Sequence, residues 1–244
     1  MKLKGKTVLI TGGAVRVGRA IALELAEAGA DIFCQYHSSS GPAKQLKEEI
    51  ERKGQKCYLC QSDLTKIDEI TKTIDAAIAT AGHIDILINN SALFYRTPLA
   101  EVTTDDWDTF HDLNLKAAFF MAQKASQYML KQKSGKIINI GDSAAEAPFP
   151  AFLPYSISKA GIIAMTKGLA KALAPDIQVN CVNPGPVMIP DNYSSKEKQF
   201  AIDQTLLKRE GSGADIARTI LFLIEGSDYI TGAVIPVDGG RHIR

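Results

Sequence analysis

Apolar, β-rich runs at 7–10, 31–35, 56–61, 84–89, 136–140, 178–182 and 233–237 alternate with amphipathic stretches at 18–28, 43–53, 66–81, 105–131, 156–173 and 214–224. The short runs are almost continuously hydrophobic, as strands covered on both faces must be, and the longer stretches repeat their apolar positions at helical spacing. This order predicts an α/β fold: a doubly wound, parallel, seven-stranded sheet with crossover helices on both faces. One segment breaks the alternation. Residues 184–204 carry three prolines, Asn192 and a polar Ser-Ser-Lys-Glu-Lys run, and are expected to form a long irregular insertion of the kind that serves as a lid.

No break in composition divides the 244 residues, so a single domain, 1–244, is expected. Lysine plus arginine (28) nearly balance aspartate plus glutamate (27), which gives no net field for nucleic acid or an anionic membrane and favours a small-molecule partner. The start, Met1-Lys2-Leu3-Lys4-Gly5-Lys6, leads into only a short apolar run before Thr-Gly-Gly. It reads as neither signal peptide nor membrane span, and a cytoplasmic location is expected. Cys34, Cys57, Cys60 and Cys181 fall on predicted strands. Cys57 and Cys60 form a C-x-x-C, but an offset of three points them to opposite sheet faces, so free structural thiols are expected rather than a redox or metal pair.

The first strand ends in Thr11-Gly12-Gly13-Ala14-Val15-Arg16-Val17-Gly18 and runs directly into a helix, whose free N–H groups and positive dipole end suit a pyrophosphate. The second strand ends Gln35-Tyr36-His37-Ser38-Ser39, with no acid to bind a ribose 2′-hydroxyl. Arg16, His37, Ser38 and Ser39 instead offer charge and donors to a 2′-phosphate, which points to NADPH. Asp63-Leu64 and Asn90-Ser91-Ala92 follow the third and fourth strands, at the carboxyl ends where open α/β sheets bind ligands. Asp63 can accept from an adenine amino group or cap the next helix.

The Thr-Gly-rich first turn, Asn89-Asn90, Asn114, Tyr155-x-x-x-Lys159, Asn183-Pro184-Gly185 and Val237-Asp238-Gly239-Gly240 together resemble the short-chain dehydrogenase/reductase family over essentially the whole chain. The resemblance implies a one-domain Rossmann fold with strand order 3-2-1-4-5-6-7 and a homotetramer. It makes Tyr155 the proton donor and Lys159 the charge that lowers its pKa and holds the nicotinamide ribose. Asn114 would hold a water of the proton supply. It also implies that the cofactor contacts Gly12, Arg16, Val17, Tyr36, His37, Ser38, Ser39, Asp63, Leu64, Asn90, Ser91, Ala92, Tyr155, Lys159, Pro184, Gly185 and Val187.

Two departures narrow the resemblance. Arg16 stands at the family's middle glycine, and Asp142 stands where the usual catalytic serine precedes Tyr155 by thirteen residues. Both are similar to pteridine reductases and dihydromonapterin reductases, as is the loop Asn90-Ser91-Ala92-Leu93-Phe94-Tyr95-Arg96-Thr97-Pro98-Leu99. That likeness implies a dihydropterin or dihydrofolate substrate held by Arg16, Phe94, Asp142, Tyr155 and Met188. The loop reads Asn-Ser-Ala rather than Asn-Ala-Ser, and Ser38 replaces an arginine of those enzymes. An ionised Asp142 would repel a developing alkoxide, so ketones should react poorly. Ser143, by a shifted turn, is the alternative hydroxyl. The other readings are a carbonyl or 3-oxoacyl reductase and a non-catalytic NADPH-binding module. The tail, Arg241-His242-Ile243-Arg244, resembles that of dihydromonapterin reductases, and is expected either to reach a neighbouring subunit's site through Arg241 or Arg244 or to be solvated.

Overall fold

The computed structural model describes residues 1–190 and 193–244, so Asn192 of the expected insertion lies outside the described residues. Strands β1 (Thr7–Ile10), β2 (Asp31–Tyr36), β3 (Cys57–Gln61), β4 (Ile86–Asn89), β5 (Gly135–Ile140), β6 (Ile177–Pro184) and β7 (Val234–Val237) form one sheet in the order β3-β2-β1-β4-β5-β6-β7. Every pairing is parallel, with Leu9 of β1 opposite Phe33 on one side and Leu87 on the other. The order reverses between β1 and β4, and that reversal opens a crevice at the carboxyl ends of the strands.

Alternate strand residues face opposite sides. Val8, Ile10 and Ile32 pack under α1 (Arg16–Glu27), α2 (Ser40–Arg52) and α8 (Gly213–Leu221) through Ile21, Leu25, Leu46, Ile50, Ile216 and Ile220. Leu9, Leu87, Ile137 and Val179 pack under α3 (Ile67–Ala81), α5 (Ala117–Gln132) and α6 (Leu153–Leu173). Cys57 belongs to the first layer and Cys60 packs against the second, as the offset of three requires. All four thiols are free, and burial pushes Cys34, Cys57 and Cys181 up to about 12, which keeps them unreactive.

Three expectations change, the last where α8 gives way to a π turn at Phe222–Gly226 inside the stretch expected to be one helix over 214–224. The helix expected over 105–131 is interrupted: α4 (Thr104–Phe110) passes through a π turn at His111–Lys116 before α5 begins. The insertion is not wholly irregular either. It contains α7 (Ser195–Asp203), opened by a capping box between Ser194 and Glu197. None of the described residues of α7 is buried, so no apolar stripe advertised it.

Lys136 on β5 anchors the π turn Phe222–Gly226 that follows α8. Its buried ammonium donates to the carbonyls of Leu223, Ile224 and Ser227 and pairs with Asp228 at 2.8 Å. Hydrogen bonds from Lys136 and then the N-terminal ammonium hold the Asp228 carboxyl down at about 2. A depressed folded value means stabilisation that is present above the ordinary 3.8 and lost as pH falls through about 2. The thermal midpoint should therefore be higher for wild type than for Asp228→Asn near neutrality, with the gap closing in acid. A gap that stays constant on acidification would reject the linkage.

Candidate active site

Tyr155 and Lys159 lie one turn apart on α6, which starts with Pro154 near its first position and so fixes where the helix begins. Both side chains are buried, and the Lys159 ammonium sits 5.9 Å from the Tyr155 ring centre while donating to the Ile140 carbonyl at 2.8 Å. Asp142 follows β5 and caps the tight turn Ser143–Ala145, accepting from the Ala144 N–H at 2.7 Å through Oδ1. Its other oxygen, Oδ2, accepts from the Tyr155 hydroxyl at 2.6 Å. Ser143 is buried and directed at Asp142 Oδ1 (3.4 Å), so the shifted-turn alternative is not adopted.

The electrostatics differ from expectation. Burial, then the Asp142 charge, push the Tyr155 hydroxyl well above its ordinary value, rather than Lys159 lowering it. Burial also raises the Asp142 carboxyl, opposed by the Tyr155 and Ala144 hydrogen bonds and by the charges of Lys159 and Arg241. Lys159 is pulled down by the same burial. The short bond from the Tyr155 hydroxyl to Asp142 orients the phenol.

Asn114 lies in the π turn, and its amide clasps the backbone of Leu93: Oδ1 accepts from Leu93 N–H at 2.8 Å, and Nδ2 donates to Leu93 O at 3.1 Å and Ser158 Oγ at 3.2 Å. Its side chain thus positions the loop after β4. In that loop Phe94 stacks on Phe152 (4.7 Å, 5°) and sets its edge against Tyr155 (4.7 Å). Phe149 continues the wall against Phe152. The C-terminal turn brings the Arg241 guanidinium 4.3 Å above the Phe149 ring, where it stabilises the charged form of Asp142. The tail is thus neither solvated throughout nor detached from its own site. Within this chain Arg241 packs on Phe149, while Arg244 is exposed.

At the nucleotide crevice, the loop between β1 and α1 is folded so tightly that an added Cβ on Gly18 would lie 2.2 Å from the Gly12 carbonyl. Asn90 Nδ2 bonds the carbonyls of Thr11 and Gly12, and Thr11 Oγ1 receives the N–H groups of Asn90 and Ser91, so Asn90 and Thr11 lock this turn. Helix α1 starts at Arg16, two residues earlier than expected, behind a Val15 cap that supplies no side-chain bond. Its first N–H groups consequently face the crevice uncapped, the donor set a pyrophosphate needs. Beyond β2, Tyr36 leads to His37, Ser38 and Ser39, where α2 also begins without a side-chain cap or an acid in its first turn. His37 and Ser38 are exposed at this edge of the crevice.

The remaining sites are distributed around that crevice. Asp63 accepts from the N–H and hydroxyl of Thr65, and α3 is capped by Lys66, so Asp63 is not its N-cap. Leu64 is buried, whereas Ala92 is exposed beside Ser91. Pro184 ends β6, and Gly185 passes so close to Asp238 that a Cβ would meet its Cα at 2.6 Å. Val187 bridges to Gly211, and Val17 lies on the first turn of α1. Arg16 donates to the Met188 carbonyl at 2.6 Å, joining the glycine loop to the insertion. Tyr193, which motif reasoning passed over, lies close enough to Tyr155 and Arg16 to interact with both electrostatically.

The fold and this site define a one-domain dinucleotide-dependent oxidoreductase. Residues 13–242 match the family model described as enoyl-(acyl carrier protein) reductase. The chain is 36% identical over 242 residues to the 3-oxoacyl-[acyl-carrier-protein] reductase FabG of Staphylococcus epidermidis, covering 98% of this chain and 99% of that one. Among solved structures it is similar to a metagenomic blue fluorescent protein in complex with NADPH (34% identity, 99% of both chains, TM-score 0.90). It is also similar to an NAD⁺-bound xylitol dehydrogenase (28% identity, 98% and 100%, TM-score 0.91). The chain belongs to the short-chain dehydrogenase/reductase family. Among the described residues no helix is long and apolar enough to cross a membrane, and no cluster of side chains could hold a metal.

Proposed function

We propose that this chain is an NADPH-dependent reductase of pterin-type rings, converting a dihydropterin, and dihydrofolate as a second substrate, to the tetrahydro form. The observation that carries the reading is the 2.6 Å bond from Tyr155 to Asp142, at the position where the family usually has a serine. An ionised carboxylate accepts hydrogen bonds and offers none, so it suits an amino-pyrimidine N–H and disfavours a ketone oxygen that becomes an alkoxide. Phe94 is 43% exposed with one ring face on Phe152, leaving aromatic surface for a flat heterocycle beside the reacting phenol.

NADPH supplies the hydride. Tyr155 supplies a proton from Oη to the ring nitrogen, Asp142 orients that hydroxyl, and the phenolate left behind is reprotonated from solvent before the next turnover. Lys159 places positive charge beside the phenol and offers its ammonium to a ribose hydroxyl. Phe94 and Phe152 exclude water from one side of the centre.

A second reading, a 3-oxoacyl or other carbonyl reductase, is favoured by the names of the curated relatives. NADPH oxidation followed with 7,8-dihydrobiopterin, dihydromonapterin, dihydrofolate and a panel of ketones and 3-oxoacyl thioesters separates the two. Turnover confined to the pterins and folate supports the first reading, and turnover confined to carbonyls replaces it with the second.

Preference for NADPH over NADH rests on the acid-free end of β2. His37→Asp places a carboxylate against the 2′-phosphate and should reverse the preference by about tenfold or more, since 1.4 kcal/mol of repulsion is a factor of ten. An unchanged NADPH/NADH ratio of kcat/KM would show that the pocket is elsewhere. The expected homotetramer is checked by light scattering of the purified protein.

A further inference from the structure

The guanidinium of Arg241 is half-buried at the end of the aromatic wall, and among the described residues it has neither a hydrogen bond nor an ion pair. Its guanidinium carbon lies 4.3 Å from the Phe149 ring centre, a contact that uses none of its five N–H donors, so these are free to take a planar or tetrahedral anion. The nearest acid does not take that role. Asp142 is already engaged by the Tyr155 hydroxyl and the Ala144 N–H, and interacts with Arg241 only at longer range. Asp238, the other acid whose charge reaches Arg241, is bound to the Gly240 and His242 N–H groups and to the His242 ring.

Both acids are thus held by other hydrogen bonds, and the Arg241 guanidinium has no direct polar partner among the described residues. Lys159 and Arg241 both act on Asp142, and Arg16 is bound to the Met188 carbonyl on the insertion side, in a protein whose formal net charge is only +1. A cation without a direct partner at a partly buried site attracts anions of matching size. One of these cations, Arg241, lies on the Phe149 side, beyond the wall that Phe94, Phe152 and Phe149 build outward from Tyr155.

We infer that Arg241 is a specificity-determining residue that binds an acidic group, carboxylate or phosphate, on the distal part of the substrate while the reducible group sits at Tyr155. The inference rests on Tyr155 and Asp142 being the reacting centre, and holds for either substrate chemistry. Phe149 sets the guanidinium's orientation and the C-terminal turn sets its position, so the chain's last residues form part of its own substrate site.

The test compares an acidic with a neutral substrate of the same reacting group, using the full-length enzyme with NADPH. One pair is dihydrofolate against a dihydropterin with a neutral side chain. The other is a 3-oxoacyl thioester of phosphopantetheine against that of N-acetylcysteamine. For Arg241→Gln, the acidic-to-neutral ratio of kcat/KM should fall at least about tenfold, the equivalent of one lost charge-assisted pair. Arg241→Lys should fall less, because it keeps the charge and loses the fork. The same ratio is read from dissociation constants by calorimetry on NADP⁺-loaded enzyme, so it does not depend on turnover. A ratio within twofold of wild type in Arg241→Gln overturns the inference. So does an equal loss of kcat on both members together with a shifted acid limb of the pH profile, the signature of a counter-charge for Asp142 alone. If only the thioester pair reacts, the pterin reading fails, and the Arg241 ratio is still measured on that pair.

Discussion

Tyr155→Phe is expected to lower kcat by about 10²- to 10⁴-fold, the usual contribution of a positioned general acid, while the NADPH dissociation constant changes less than about twofold. The ring that remains fills the same space among Phe110, Ala144, Phe149 and Phe152, so the fold around it should persist. What is lost is the O–H donor of the 2.6 Å bond to Asp142. Without that donor, one of the bonds that oppose desolvation of Asp142 is gone, and its carboxyl should rise further above the usual carboxylate range. Residual turnover should therefore show an acid limb at higher pH than wild type. Single-turnover rates across pH, with cofactor titration by fluorescence, check both parts. A Phe variant retaining substantial kcat would remove Tyr155 from the proton path.

The sheet was legible because buried parallel strands leave continuous apolar runs. β1 matches its expected limits, and β3 and β5 differ from theirs by one residue. The π turn at His111–Lys116 was not legible: one extra residue in a long amphipathic segment hardly disturbs a 3.6-residue pattern, yet it places Asn114 against Leu93. α7 was hidden for a different reason. Its only local signal was the Ser194/Glu197 capping pair, inside a run so polar that it read as loop. At the site, Tyr155, Lys159 and Asp142 were readable from spacing because helix geometry and the β5 turn convert sequence distance directly into proximity. Arg241 over Phe149 was not, since nothing local couples a C-terminal turn to a residue far earlier in the chain. The upward shift of Tyr155 was missed because it depends on burial and on the Asp142 oxygen, both tertiary.

Asp142→Ser carries the largest consequence for what the enzyme reduces. A serine there restores an O–H donor beside Tyr155 and removes the charge that would oppose an alkoxide, so pterin turnover should fall by about 10²-fold or more while ketone turnover appears or rises. The pH dependence sharpens the test. Burial raises the Asp142 carboxyl above its ordinary range, so its ionised form is lost at a higher pH than a free aspartate would lose it. Pterin reduction, which needs the acceptor, should decline as pH falls through that raised value. Any ketone reduction by wild type should move the other way, because a protonated Asp142 is itself a donor. In Asp142→Ser both acid-side dependences should vanish together, for the titrating group is gone. Rate profiles of the two substrate classes on the two proteins decide it: opposite slopes in wild type that flatten in the variant place the choice of substrate in the protonation state of one buried carboxyl. Parallel slopes that survive the substitution would assign the titration to another group and leave Asp142 with only a positional role.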